Sequence, residues 1–404
     1  MTQTALSADE REDERLNTLL AERTEANSRF FDEHAERLAR LCHLMAERFA
    51  RAGRLLAVGR PPAARSDARH VAVEFVHPVI VGKRALPALA LDGAGGELAA
   101  QLMPLARADD IVIAFGADED DGQAAHALAL ARARSCLTIA GAHAGAEYEF
   151  PPPSEDPYIR QELIETLYHV LWELVHVFFE HRGLLADRDP RPTHEIGAAS
   201  FLYPFLDERE RELEPVVEDV RRSVLAKARD VGALRVQTLN DNRATLTQAA
   251  ARLRAGLERG GKLLALGNGG SATDAMDVVA DFRSGARGRR CRPAIDLSED
   301  AGILTAIAND VGVEAIFARQ VIAYGEPGDT LLALSTSGSS RNVIESLAQA
   351  RRQRLATIAM VGYDGGRIAE ERLADHVVVT RSEHIPRIQE AQASAYHTLR
   401  ELVG

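Results

Sequence analysis

Two short loops hold the residues of this chain best suited to chemistry. In LLALGNGGSATDAMDVVADF (263–282) an apolar run feeds a glycine-rich turn, Gly267-Asn268-Gly269-Gly270-Ser271, that opens into a helix. A strand ending there leaves free backbone N–H groups and a hydroxyl at a helix N-terminus, where amides and helix dipole both favour an anion. TLLALSTSGSSRNVIESL (330–347) repeats the arrangement, with Ser335-Thr336-Ser337-Gly338-Ser339-Ser340 between strand and helix. Hydroxyls and N-terminal amides suit a phosphate monoester, so two such loops in one α/β unit point to a phosphorylated small molecule. Either loop alone reads equally as a turn. No Lys follows the glycines as in a nucleotide P-loop, and the spacing does not fit the dinucleotide G-x-G-x-x-G pattern.

Together with LTAIANDVGVEAIFARQV (304–321), the loops closely resemble the phosphoheptose isomerases of the sugar-isomerase (SIS) domain family. GNGGS, AIANDxG, FxRQV, STSGxS, DGG and RIQE occur in that family's order between about 240 and 404. The resemblance implies a ketose–aldose isomerase acting on a sugar phosphate through an enediolate, with sedoheptulose 7-phosphate as substrate. It implies that Asn268, Gly269, Gly270, Ser271, Ser335, Thr336, Ser337 and Ser340 hold the phosphate.

The N-terminal half reads as a decayed copy of the C-terminal half. RAGRLLAVG (51–59) answers RGGKLLALG (259–267), DARHVAVEF (67–75) answers DAMDVVADF (274–282), and RALPALAL (84–91) answers RRCRPAIDL (289–297). ADDIVIAFG (108–116), SCLTIAGAHAG (135–145) and IRQELIETLYHVL (159–171) then match GDTLLALS (328–335), LATIAMVGYDGG (355–366) and RIQEAQASAYHTL (387–399) in the same order. Such ordered self-similarity predicts a tandem repeat. The first copy has lost most of the segment equivalent to 303–321.

In the resembled family the helix after GNGGS carries a His and, four residues on, a Glu. The C-terminal helix carries a Gln and, eight residues on, a His. The Glu and the second His act as base and acid, and all four can hold zinc. Transferred by position, repeat 1 keeps His70, Glu74, Gln161 and His169, whereas repeat 2 keeps Gln389 and His397 but has Asp277 and Asp281. The resemblance therefore suggests a zinc site at the first set and a weaker one at the second. It suggests Asp281 as base on the repeat that binds substrate, with His397 or the neighbouring His169 as acid, unless Glu74 is lent across. Spacings of four and eight residues keep each pair on one side of its helix, and a His/carboxylate/amide set is a reasonable zinc environment. The same residues also read as polar positions on amphipathic helices. The phosphate loops show the opposite pattern: repeat 1 has Gly59-Arg60-Pro61-Pro62-Ala63-Ala64-Arg65-Ser66 for GNGGS and Gly116-Ala117-Asp118-Glu119-Asp120-Asp121 for the hydroxyl loop. Proline removes a donor, and carboxylates repel phosphate.

These readings predict two tandem α/β SIS-like, flavodoxin-like domains, each a mostly parallel sheet with helices on both faces. The expected boundaries are 1–182 for the first, 183–205 for a Pro/Gly/charge-rich linker and 206–404 for the second with its helical lead-in. Residues 14–49 read as matching helices before repeat 1, and Trp172, Phe178 and Phe179 as core or interface. Family members assemble as tetramers with sites at subunit interfaces, so the resemblance implies a homodimer forming a pseudo-tetramer. The net charge of −12 argues against a nucleic-acid surface. No apolar run spans a bilayer, and the polar, acidic first residues fit a cytoplasmic protein. Cys42, Cys136 and Cys291 lack metal-ligand spacing and read as reduced, structural residues. The other expectation is a non-catalytic sugar-phosphate-binding regulatory or assembly protein, favoured by Asp281 and opposed by the survival of the first His/Glu/Gln/His set.

Overall fold

The computed structural model describes residues 8–60, 62–79, 83–93, 96–117, 122–180, 185, 212–284 and 290–404. The acidic stretch 118–121 and, apart from Leu185, the linker expected at 183–205 lie outside these residues. A single unbroken helix α1 (Ala8–Ala50) leads into β1 (Leu55–Val58), α2 (Pro62–Val76), β2 (Ala88–Leu91), α3 (Leu98–Leu102), β3 (Ile111–Ala114), α4 (Gln123–Ala133), β4 (Leu137–Ala140), β5 (Tyr148–Glu149) and α5 (Pro157–Glu180). The C-terminal half runs α6 (Leu213–Asp241), α7 (Arg243–Glu258), β6 (Leu263–Leu266), α8 (Gly270–Arg283), β7 (Ala294–Asp296), α9 (Ala301–Asp310) and a 3-10 turn at Val313–Ala315. It continues through α10 (Ala318–Tyr324), β8 (Thr330–Ser335), α11 (Arg341–Arg352), β9 (Ala356–Val361), α12 (Gly366–Glu370), β10 (His376–Val379) and α13 (Ile385–Val403).

Each half builds a five-stranded, all-parallel sheet, in the orders β2-β1-β3-β4-β5 and β7-β6-β8-β9-β10. Both orders are the flavodoxin-like 2-1-3-4-5, with the order reversing beside the first strand. The inner strands LLAV, IVIA and LTIA are apolar apart from Thr138 and are wholly buried, as a sheet covered on both faces requires. Among the described residues of the first unit, α3 is the one helix between β2 and β3. The second unit places α9, the 3-10 turn and α10 there, as the sequence alignment of the halves anticipates.

The lead-in helices cross between units. Val216, Val217, Val220 and Val224 of α6 complete the first unit's core with Phe30, Leu38 and Trp172, while Leu16 of α1 joins the second unit's core. Buried Trp172, Phe178 and Phe179 are core residues, as expected. The units also pack directly, α2 against α8 and α5 against α13. Cys42 and Cys136 are buried, whereas Cys291 is exposed and so has no packing role. Among the described residues no helix is long and apolar enough to cross a membrane.

Candidate active site at the seam between the units

The seam between the units buries two polar clusters related by exchange of α2 with α8 and α5 with α13. The first forms around His70. Its Nε2 lies 3.3 Å from His169 Nε2, 3.1 Å from the Gln389 amide nitrogen and 3.8 Å from Glu74 Oε1. Gln389 comes from the second unit; Gln161, which the sequence grouped with His70, instead lines a cavity on the other side of the seam with Asp277, Asp281 and His397. Position along a helix fixes a face but not the neighbour that face meets, so the two amides have changed places. His169 Nδ1 in turn faces Glu390 Oε1 of the second unit at 3.0 Å.

This cluster lies against the glycine loop 267–271. Gly269 takes φ 58° and ψ −125° as α8 begins, a left-handed φ that glycine adopts without a Cβ clash. At Gly270 a Cβ would overlap the Gln389 amide nitrogen and lie 2.8 Å from His70 Nε2. Only a bare backbone lets the loop approach the imidazole. On the other loop Ser337 Oγ and Ser340 Oγ lie 3.4 Å apart, and Asn268 and Asn342 exchange hydrogen bonds of 3.0 and 2.9 Å that tie the loops together. Ser271 is buried in the first turn of α8 and Ser335 at the end of β8; Thr336 and Ser340 are half-buried and Ser337 is exposed.

The second cluster centres on His397. Its Nδ1 is 2.9 Å from Glu162 Oε1 of the first unit, and its Nε2 is 3.4 Å from both Asp277 Oδ2 and Asp281 Oδ2. Tyr396 donates to Asp277 at 3.0 Å, Ser66 to its other oxygen at 3.3 Å, and Tyr158 stacks on the His397 ring. The adjoining cavity, about 190 Å³, is walled by Pro62, Ala64 and Gly116 of the first unit's altered loops and by Gly141 after β4. Asp281 and His397 thus open toward the loops that lost their phosphate character.

The two clusters are charged differently. Burial would push His397 down, but its hydrogen bonds to Asp277 and Glu162 and the Asp281 charge raise it to about 10. Burial would push Glu162 up, yet Arg23, His397 and Arg235 bring it to about 2. The first cluster is the reverse. Burial and then the Arg387 charge lower His169 to about 3, and burial with His169 as neighbour holds His70 well below the usual imidazole range. Burial, with Glu173 and Glu390 nearby, lifts Glu74 to about 8. Burial lifts Glu390 to about 8 as well, although Arg387 at 2.7 Å pulls against it. At neutral pH the first cluster therefore presents neutral imidazoles, the form that binds metal, and the second holds a proton among carboxylates.

The first donor set fits a zinc ion. Two imidazole nitrogens, a carboxylate and an amide that can turn its oxygen inward converge within a few ångströms, and Glu74 Oε2 is buried without a hydrogen-bond partner. Asp277, Asp281 and His397 also converge, but there the carboxylates raise His397 to about 10, so an ion would have to displace its proton.

Sequence reasoning missed Glu162 and Glu390, which hold the histidines across the seam, and Asp274, whose Oδ1 is 3.5 Å from His70 Nδ1. A signal was present. Gln-Glu recurs as 161–162 and 389–390, and Asp67 and Asp274 occupy matching positions.

Residues 228–362 match the SIS domain family. Solved chains of that architecture cover both units at once. The C-terminal domain of glucosamine-fructose-6-phosphate aminotransferase from Francisella tularensis covers 96% of this chain and 94% of its own, with a TM-score of 0.60 and 9% identity. Tagatose-6-phosphate ketose/aldose isomerase from Escherichia coli covers 96% and 93%, with a TM-score of 0.55 and 12% identity. These likenesses fix the class, a chain of two SIS-type α/β units. Sequence relatives narrow it. The phosphoheptose isomerase of Chlorobium phaeobacteroides is 41% identical over 203 residues, 49% of this chain and 85% of that protein, and that of Laribacter hongkongensis is 44% identical over 163 residues, 39% and 82%. The chain belongs to the phosphoheptose isomerase family and is an isomerase.

Proposed function

We propose that the chain interconverts a ketose and an aldose phosphate, sedoheptulose 7-phosphate and a heptose 7-phosphate, at one composite site. The second unit's loops 267–271 and 335–340 hold the phosphate, and the first unit lends Glu74 and His169. The observation that carries this reading is the contact of Gly270 with His70 and Gln389, which sets the surviving loop beside the surviving His/Glu/His set. Each half has lost what the other keeps.

Glu74 is the base. It removes the proton from the ketose C1, and the proton returns at C2, while His169 moves the hydroxyl proton between the two oxygens. The unpartnered Glu74 Oε2 is the oxygen free to face substrate. His70, Glu74, His169 and Gln389 would hold zinc, which when bound would supply positive charge to the substrate oxygens. Asp281 and His397 face the other cavity and are left without a catalytic part. We further infer a homodimer that places four units together in the cytoplasm, an assembly supported by exposed Val311, Val313 and Ile322 along the α9–α10 segment. Light scattering that gives a monomer mass would overturn that assembly. The test of the main reading is turnover of sedoheptulose 7-phosphate by the purified chain and by Glu74→Gln and Asp281→Asn. Loss in the first alone supports the composite site, and loss in the second alone sinks it.

A further inference from the structure

The Nδ1 side of the His70 ring meets a second group of donors, one of which, Asp274, also bonds the Gln389 amide. His70 Nδ1 is 3.5 Å from Asp274 Oδ1. Glu165 completes the group: donor atoms of His70, Glu165 and Asp274 all lie within 4.8 Å of one another. Both Glu165 oxygens are fully buried without a hydrogen-bond partner, and so is Asp274 Oδ2. We propose that His70 Nδ1, Asp274 and Glu165 form a second divalent-cation site at the seam, with the His70 ring bridging it to the zinc position at Nε2.

Charge and spacing carry the argument. The ionisable groups acting most strongly on Glu165 are carboxyls, namely Asp274, Glu390, Asp67 and Asp277. The nearby Arg235 guanidinium is engaged with Asn27, Thr166 and the carbonyls of Glu162 and Glu390. A proton on Glu165 would neutralise it but would find no acceptor, and a buried polar hydrogen without a partner is costly. Donors held about 2 Å from a common ion lie roughly 3–4 Å apart, the spacing seen here between Nδ1 and Asp274. One cation would satisfy Glu165, Asp274 and the ring nitrogen together.

Position argues the same way. Glu165 lies one turn from both Gln161 and His169 on α5, and the matching place in the second unit is Ala393, also buried. The framework accepts alanine there, yet the seam has a carboxylate on one side only. One imidazole and two carboxylates suit zinc or manganese better than calcium or a soft ion. With ions on both nitrogens the ring becomes an imidazolate, its proton released to solvent.

This inference shares His70 with the proposed isomerase site but does not need the Nε2 side to be filled. The test is bound zinc per full-length chain after chelator stripping and dialysis against buffered Zn²⁺, for wild type, Glu165→Ala, Glu165→Gln and Glu74→Ala, each checked for folding by circular dichroism. Wild type is expected to hold one equivalent more than either Glu165 variant, with one equivalent remaining in those variants. Equal zinc in wild type and both folded Glu165 variants would overturn the second site and leave the Nε2 site standing. A single equivalent lost in the Glu165 variants but kept in Glu74→Ala would support the second site and overturn zinc at Nε2. No zinc in any of them overturns both.

Discussion

The clusters around His70 and His397 use the same four helices in exchanged roles, yet they hold charge in opposite ways. Each histidine is braced through Nδ1 by a glutamate of the other unit, Glu390 for His169 and Glu162 for His397. Arginines reach both braces, Arg23 at 3.0 Å from Glu162 and Arg387 at 2.7 Å from Glu390, but Glu162 also meets Arg235 and the His397 proton. That keeps Glu162 ionised and the imidazole protonated. Around His70 the acids are left desolvated and near neutrality, and the imidazoles are unprotonated. On the proposed reading, the difference between the two clusters is the proton held at His397. Aspartates in place of His and Glu leave His397 as the sole base among three acids, and it takes the proton that a metal would otherwise displace.

The sharpest way to break this comparison is to remove the acid–base carboxylate on each side. Glu74→Gln is expected to lower kcat by about 10²–10⁴-fold, the usual worth of a positioned acid–base group. Asp281→Asn should stay within a few-fold of wild type. Steady-state kinetics on both variants check this, and a reversed order would mean that the His397 side is the working one. Next in size is the phosphate grip. Ser337→Ala with Ser340→Ala removes two hydroxyls from the second unit's loop and should raise KM about 10–100-fold while kcat falls less, since these contacts hold the substrate before and during reaction.

The loops were legible because they are contiguous: the strand, glycines, hydroxyls and helix of 263–282 and 330–347 lie in a row, and local rules suffice. The fold was legible for a related reason, since ordered strand–loop–helix units read off as a parallel sheet. The seam was not. Gln161 and Gln389 have identical spacing to their histidines, and only the packing of α5 on α13 decides which amide meets which ring. Asp281 drew attention as the stand-in for a family Glu on the substrate-binding unit, but its helix carries it toward the other unit's loops. Glu165 stayed hidden because nothing in the second unit repeats it. The one cross-seam feature open to reading was the repeated Gln-Glu pair, because a carboxylate kept at the same place in both halves needs a partner to be buried.

A finer test concerns the braces. Glu390→Gln keeps the shape beside His169 Nδ1 but changes the charge and proton on the partner, and supporting partners of this kind typically alter metal affinity or activity about 10–100-fold. The expected result is about a tenfold drop in kcat with KM little changed, together with weaker zinc retention. Glu162→Gln, at the equivalent place beside His397, should leave kinetics near wild type and show only in stability. Equal kinetic effects from the two would erase the asymmetry.

The smallest expected effect is a pH slope. His397 has its folded pKa raised to about 10 from an ordinary value near 6.5, so its contribution to stability is complete below pH 6.5. It is lost as the pH rises toward 10, because the folded state then gives up a proton that the unfolded chain released earlier. The depressed Glu162 is the other end of the same interaction and is counted with it. Its contribution is present above about 4.5 and is lost as the pH falls toward 2. His397→Gln cannot titrate, so the melting-temperature gap between wild type and variant should narrow between pH 6.5 and 10, by at most about 1.4 kcal/mol per pH unit. In a chain of this size that is a degree or two per unit, measurable by scanning calorimetry at several pH values. Because acids near His70 also ionise over this range in both proteins, the gap rather than either curve isolates His397. A gap that stays constant from pH 6.5 to 10 would mean that His397 carries no proton in the folded state, and the second cluster would then be as open to metal as the first.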